Sequence, residues 1–196
     1  MKSIYRELEY KELSKIRIDG KILDLGGCKK SGYGNLIKGR NLIDVANISK
    51  QYGYDIKVDL EKKFPIKNNT YKAVLCINTL EHIYNYENVI KESYRVLEKG
   101  GKLILATPFM YRVHSCPNDY FRYTDDCLYK VLNDTGFRSI TIFNIGNGIF
   151  SIFYQNMPYF IFSFFVNIDR LLCRLSNKYL IYSDSLPLGY ITIGVK

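Results

Sequence analysis

Residues 114–124, His-Ser-Cys-Pro-Asn-Asp-Tyr-Phe-Arg-Tyr-Thr, hold the densest set of chemically capable side chains in the sequence. His114 titrates near neutral pH and can take a proton. Asp119 can serve as a base itself or orient His114. Arg112 and Arg122 can hold an anionic group such as a phosphate or a sugar acid. Tyr111, Tyr120 and Tyr123 can wall a sugar ring. A structural account competes with each role. Pro117-Asn118-Asp119 makes a good turn, the aromatic rings can anchor a loop to the core, and Arg122 can pair with a carboxylate.

A second set of polar residues stands where apolar runs end. Asp24 lies at the end of the run "KILDLGG", just before Gly26-Gly27-Cys28. Asp44 closes "NLIDVA" and Asp59 closes "DIKVDL", while "YKAVLCI" runs into Asn78. Glycines let a backbone approach a ligand, and a carboxylate at a strand end can accept hydrogen bonds from ribose hydroxyls. One acidic strand end can be a helix cap, but three beside a glycine turn describe a nucleoside pocket.

These groups need a frame that aligns the strand ends. Apolar runs predict strands at 21–27, 41–46, 55–60, 71–77, 102–109, 137–145 and 188–196. Helical spacing predicts helices at 3–15, 85–98 and 125–135. Asn85 and Thr124 stand as caps, Gly100-Gly101 as the stop of the second helix and Gly136 as the stop of the third. The alternation predicts an α/β fold with a mostly parallel, Rossmann-like sheet and helices on both faces. Ligands in such sheets bind beyond the carboxyl ends of the strands.

The chain of 196 residues fits one domain, is 47% hydrophobic and carries a net charge of +9. That charge favours anionic partners. Yet no Lys/Arg patch with interleaved aromatics stands outside 170–178, and the Asn/Asp-Pro-Pro-Tyr/Phe motif is missing, so a nucleic-acid substrate is not expected. Five cysteines without a CxxC pair and only two histidines predict no metal site. The N-terminal residues show no secretory h-region, and a cytoplasmic protein with reduced thiols is expected. The G-x-G-x-x-G pattern of a dinucleotide-binding dehydrogenase is absent after the first strand.

Three stretches, "ILDLGG" (22–27), "VDLEKKFPIKNNTYKAVLCINTLEHI" (58–83) and "VIKESYRVLEKGGKLILATP" (89–108), resemble the class I S-adenosylmethionine-dependent methyltransferases. The resemblance covers about residues 20–146 and resumes at 188–196. It implies a seven-stranded sheet of order 3-2-1-4-5-7-6 with an antiparallel last strand, and S-adenosylmethionine as cofactor. It places Gly26, Gly27 and Cys28 along the cofactor's methionine part, Asp44 at the ribose, Asp59 and Leu60 at the adenine, and Asn78 beside the methionine end, with Asp24 at the end of the first strand in the same cofactor site. His82 would serve the fold or the cofactor pocket. The family usually has a second glycine two residues after the first, followed by a full helix. Residues 28–40 leave room for a helical turn at most. "HSCPNDYFRYT" is further similar to the H-P-x-P-x-D-Y-x-R-Y-T pattern of methyltransferases associated with surface-polysaccharide synthesis, with Ser115 where proline is frequent. That likeness implies a sugar acceptor, small or lipid-linked, with His114, Asp119, Tyr120 and Arg122 at the catalytic site. A nucleic-acid methyltransferase and a non-catalytic adaptor of the same fold are the rival readings.

An insertion is predicted at 147–187, between strands six and seven. No charged residue occurs between Arg138 and Asp169, and 148–168 is dense in Phe and Tyr. A single transmembrane span is excluded, because the flanking strands must pair in one sheet. The remaining choices are a hairpin in the membrane interface, a lid, or a homodimer surface. Arg170, Arg174 and Lys178 recur at intervals of four, which suits peripheral contact with an anionic inner membrane face through 148–178.

Overall fold

The computed structural model describes residues 3–30, 32–115, 117–148, 152, 167–168, 171 and 186–196. Most of the insertion expected at 147–187 lies outside the described residues, as do the choice among hairpin, lid and dimer surface and the basic stripe of Arg170, Arg174 and Lys178. Among the described residues, no helix is long and apolar enough to cross a membrane.

The strands are β1 (Gly20–Leu25), β2 (Asn41–Asn47), β3 (Ile56–Lys57), β4 (Tyr71–Ile77), β5 (Leu97–Pro108), β6 (Arg138–Asn147) and β7 (Pro187–Val195). They form one seven-stranded sheet of order β3-β2-β1-β4-β5-β7-β6. The first five run parallel, and β7 is antiparallel to both β5 and β6. The expected topology is therefore present. Alternation along the central strands feeds two cores. Leu23, Leu25, Val74, Cys76, Leu103 and Leu105 face one side, and Ile22, Ala73, Leu75, Ile77, Ile104 and Ala106 face the other. A strand buried on both faces needs such a continuous apolar run.

Helix α1 (Ile4–Leu13) covers the second side through Ile4, Tyr5 and Leu13. Helices α2 (Tyr86–Val96) and α3 (Asp125–Thr135) cover the first through Val89, Ile90, Leu128 and Leu132. Full burial of each such Leu, Ile or Val stabilises by about 1.5–3 kcal/mol. Thr124 caps α3 by accepting from the Cys127 amide at 3.2 Å, and Gly136 ends it in the left-handed region. Between β1 and β2 the described residues make a 3-10 turn, Gly34–Leu36, and no α-helix, in keeping with the short spacing.

Three local expectations change. Asn85 occupies the cap position of α2 without a side-chain cap bond. Helix α2 ends at Val96, not at Gly100-Gly101, because Leu97 is fully buried and already pairs with Tyr71. Gly100 and Gly101 therefore lie inside β5. Strand β3 is only Ile56–Lys57, so Asp59 lies two residues beyond it.

Candidate active site

Strands β1, β4 and β5 end along one edge of the sheet, and the chain continues there as the glycine turn, as Asn78-Thr79 and as the segment 109–123. In the glycine turn, Gly26 has φ +72° and a Cβ on it would stand 2.3 Å from Thr79 Cγ2. A Cβ on Gly27 would stand 2.0 Å from Asp24 Oδ2. Only glycine fits either position. Asp24 is buried beneath this turn, and the Tyr33 hydroxyl lies 2.8 Å from each of its carboxylate oxygens. Burial pushes the Asp24 carboxyl up to about 7, with the Tyr33 hydrogen bond pulling the other way. Cys28 is half-buried, and its Sγ accepts from the Lys30 amide at 3.4 Å.

Asp59 stays on the carboxyl side of β3. It accepts from the Glu61 amide at 3.1 Å and pairs with Lys62 at 2.9 Å. The Lys62 hydrogen bond holds its carboxyl below the usual range. Leu60 next to it is buried in the first core. Asn78, with φ +46°, donates its amide to Ala106 O at 2.8 Å and its side chain to Glu9 Oε1.

Asp44 does not join this rim. Strand β2 continues past it to Asn47, and the Asp44 carboxylate accepts from the Tyr71 hydroxyl at 2.7 Å and pairs with Lys21 at 2.6 Å. Lys21 and Tyr71 belong to the starts of β1 and β4, so this carboxylate is committed to the body of the sheet and away from its carboxyl edge. The polar residue at the end of β2 is Asn47, whose side chain donates to Gly27 O at 2.9 Å and accepts from the Ser49 amide at 3.0 Å.

The segment after β5 folds back onto the 3-10 turn Leu80–His82 that follows β4. The Tyr120 amide donates to Glu81 O at 2.8 Å, and the Tyr123 hydroxyl donates to Leu80 O at 3.2 Å. This docking brings the two histidines to a ring separation of 5.0 Å although 83–113 lie between them in sequence. Between them stands Glu81, fully buried, with no hydrogen-bond partner on either carboxylate oxygen among the described residues. Its Oε1 lies 3.5 Å from His114 Nε2 and 3.7 Å from His82 Nε2, distances of ion pairs and too long for hydrogen bonds. The Glu81 carboxylate is the largest influence on His114 and raises its pKa.

Asp119 accepts from the His114 amide at 2.8 Å and lies 3.3 Å from His114 Nδ1. Arg122 grips both Asp119 oxygens and holds the carboxyl far below its ordinary value. The Asp119 carboxylate is thus held between the Arg122 guanidinium and the His114 amide. The Arg122 guanidinium also donates to Phe121 O and Arg112 O, which leaves it committed to the loop rather than to an anionic acceptor. Tyr123 is buried and anchors the loop. Tyr120 stays exposed, edge-to-face with Tyr84 at 5.4 Å, and its hydroxyl accepts from Asn118 at 2.8 Å. The Arg112 side chain is exposed.

Helix α1 adds groups that the sequence reading did not single out. Glu9 is fully buried, paired with Arg6 at 3.0 Å and bonded by Asn78. Burial pushes its carboxyl up to about 7 against the pull of Arg6. The Tyr5 hydroxyl is buried without a hydrogen-bond partner among the described residues, and its ring meets Tyr111, which meets His114. The available signal was the stripe Tyr5, Glu9, Leu13, in which a carboxylate takes an apolar position of the helical repeat.

Residues 40–105 match the family model of a methyltransferase domain. The S-adenosylmethionine-dependent methyltransferase of Thermotoga maritima superposes with a TM-score of 0.67 at 14% identity, covering 98% of this chain and 91% of that one. This is the class I S-adenosylmethionine-dependent methyltransferase fold. An S-adenosylmethionine-dependent methyltransferase of Archaeoglobus fulgidus shares it with a TM-score of 0.61 at 15% identity, over 98% of this chain and 93% of that one. So does phosphoethanolamine N-methyltransferase 2 of Haemonchus contortus, solved with phosphomonomethylethanolamine and S-adenosylhomocysteine. Its TM-score is 0.63 at 12% identity, over 98% of this chain and 52% of that one. In sequence, an uncharacterized protein of Methanocaldococcus jannaschii is 33% identical over 120 residues, 51% of this chain. The chain spans about half, 48%, of that curated relative. Within this methyltransferase fold, the glycine turn, Asn78 and Asp59 occupy the edge where the parallel strands end, and the Glu81 cluster stands beside them.

Proposed function

We propose that the protein transfers the methyl group of S-adenosylmethionine to a hydroxyl of a sugar or lipid-linked saccharide. The observation that carries this reading is Glu81, buried and unpartnered, facing His114 at the edge where the cofactor of this fold is expected. Arg6 offsets Glu9 and Arg122 offsets Asp119, whereas Glu81 between the two histidines has no guanidinium beside it among the described residues. A buried negative charge in that place suits a sulfonium cation and the positive charge that moves through the transition state.

The residues present fit the cofactor. Gly26, Gly27 and Cys28 would pass its methionine part, Asn78 held by Glu9 would meet the methionine end, and Asp59 and Leu60 would flank the adenine. Asp24 supports the turn from below. Asn47, which ends β2 and donates to Gly27 O, would be the polar group offered to the ribose. When bound, the cofactor supplies an electrophilic methyl on sulfur. The chain's own part is to align the acceptor and to draw off its hydroxyl proton as the oxygen–carbon bond forms. His114 is the group placed to act on that hydroxyl, and Asp119 with Arg122 fixes its orientation. The exposed rings of Tyr84 and Tyr120 offer a face to a sugar. The aromatic run and basic stripe of 148–178 support a lipid-linked acceptor at the inner membrane face.

Calorimetry with S-adenosylhomocysteine tests the reading. Saturable binding is expected, with His114→Ala and Asp119→Ala leaving affinity within about threefold while turnover on saccharide acceptors disappears. Absence of binding at millimolar cofactor would make the chain an adaptor, and normal turnover in both variants would remove the site assignment.

A further inference from the structure

Three electron-pair donors converge at the centre of the Glu81 cluster. Glu81, His82 and His114 each offer one ligand atom, and these atoms all lie within 4.8 Å of one another. The outer edges of both imidazoles are already taken. His82 Nδ1 meets the carbonyl of Asn118, and His114 Nδ1 meets the Arg112 carbonyl and the Asp119 carboxylate, each at 3.3 Å. Carbonyl and carboxylate oxygens only accept, so each ring carries its proton on Nδ1. Both Nε2 atoms face the Glu81 carboxylate, at 3.7 Å from His82 and 3.5 Å from His114, and its oxygens have no hydrogen-bond partner among the described residues. A cation between the three atoms would answer that carboxylate.

We propose that Glu81, His82 and His114 form a binding site for one divalent transition-metal ion. Two imidazole nitrogens and one carboxylate oxygen are a donor set that suits zinc and its first-row neighbours better than magnesium or calcium, which prefer oxygen alone. Around an ion with bonds of about 2.0–2.2 Å, adjacent ligand atoms stand about 3–3.5 Å apart, so the Glu81–His114 and Glu81–His82 separations of 3.5 and 3.7 Å close by a few tenths of an ångström, and the two imidazole nitrogens, within 4.8 Å, close further as the rings turn inward. The oxygen acceptors on both Nδ1 atoms are the outer partners that metal-bound histidines use to fix ring orientation. The His114 side chain is 31% exposed, which gives the ion a way in.

Three protein ligands leave coordination positions open. The role of the ion rests on the methyl-transfer reading: it takes the acceptor's hydroxyl oxygen as a further ligand and lowers that hydroxyl's pKa. The proton leaves to solvent, the oxygen lone pair forms the bond to the methyl carbon, and the carbon–sulfur pair returns to sulfur as a neutral thioether. With the ion bound, His114 works as a ligand.

The test uses the full chain after chelator treatment, titrated with zinc alone in a calorimeter and with cobalt in an absorption cuvette. One zinc per chain is expected, weakened at least about tenfold by either His82→Ala or His114→Ala, with circular dichroism unchanged. The cobalt spectrum should lack a thiolate charge-transfer band, since the proposed ligands are two imidazoles and one carboxylate. The proposal falls if zinc shows no saturable binding, if either variant binds as the parent does, if the thiolate band appears, or if equimolar magnesium displaces zinc. None of these titrations needs cofactor or acceptor. Their failure leaves the methyl-transfer reading standing, and a chain that binds zinc but no S-adenosylhomocysteine keeps the ion site while losing that reading.

Discussion

Asp24 makes the stability of the protein depend on pH in a direction opposite to that of most carboxylates. Its side chain lies beneath the glycine turn, 3% exposed, with the Tyr33 hydroxyl as its donor and no ion pair among the described residues. Burial raises its carboxyl from 3.8 to about 7. The folded protein therefore holds a proton between about pH 4 and about pH 7 that the unfolded chain releases, and stability falls as pH rises through that window. At about 1.4 kcal/mol per pKa unit, a shift of about 3 units makes the full penalty about 4 kcal/mol, reached above about pH 8. Roughly a third of it is already present at about pH 5. Asp24→Asn keeps an oxygen for Tyr33 and removes the charge. Its unfolding free energy from urea titrations should exceed that of the parent by an amount that grows by about 2–3 kcal/mol between about pH 5 and about pH 8.5. Paired urea titrations across that range check it. A difference between the two proteins that does not change with pH would refute the reasoning, because it would mean that the carboxylate is ionised at no cost beneath the turn.

Three further substitutions test the rim. Gly27→Ala must push its new carbon against Asp24 Oδ2, 2.0 Å away, and an overpacked site of this kind costs about 1–3 kcal/mol, so thermal melts should drop and S-adenosylhomocysteine affinity should fall with them. Asp44→Asn should leave cofactor affinity within about threefold of the parent, since its carboxylate serves Lys21 and Tyr71, whereas Asp59→Ala should weaken binding by about tenfold or more, for a lost charged hydrogen bond of about 1.5–3 kcal/mol. Calorimetry on the pair separates a rim acid from a sheet acid, and equal losses would return Asp44 to the site.

The sheet was readable because its strands are buried on both sides. Continuous runs such as Tyr71–Ile77 have few other uses, and residues 28–40 are too few for a full crossover helix, so the strands and the missing helix follow from local sequence, while the strand order follows from the resemblance to the methyltransferase family. Asp44 shows where that reading stops. An acid at the end of "NLID" looks terminal, but β2 runs on to Asn47, and whether a carboxylate lies at the rim depends on three residues of strand and on two partners, Lys21 and Tyr71, from other strands. Arg122 and Asp119 carry the same lesson within eleven residues. The composition of the loop offered a base and an anion clamp, and the fold spends both on holding His114 in place. Glu81 was hidden for the converse reason. Inside "LEHI" it reads as one polar residue of a short turn, and only the return of 109–123 across that turn sets His114 against it. Chemistry in this chain thus depends on which polar groups remain without a partner once the loops have docked. Glu81 is buried and unanswered, while the more conspicuous charges beside it are neutralised by their neighbours.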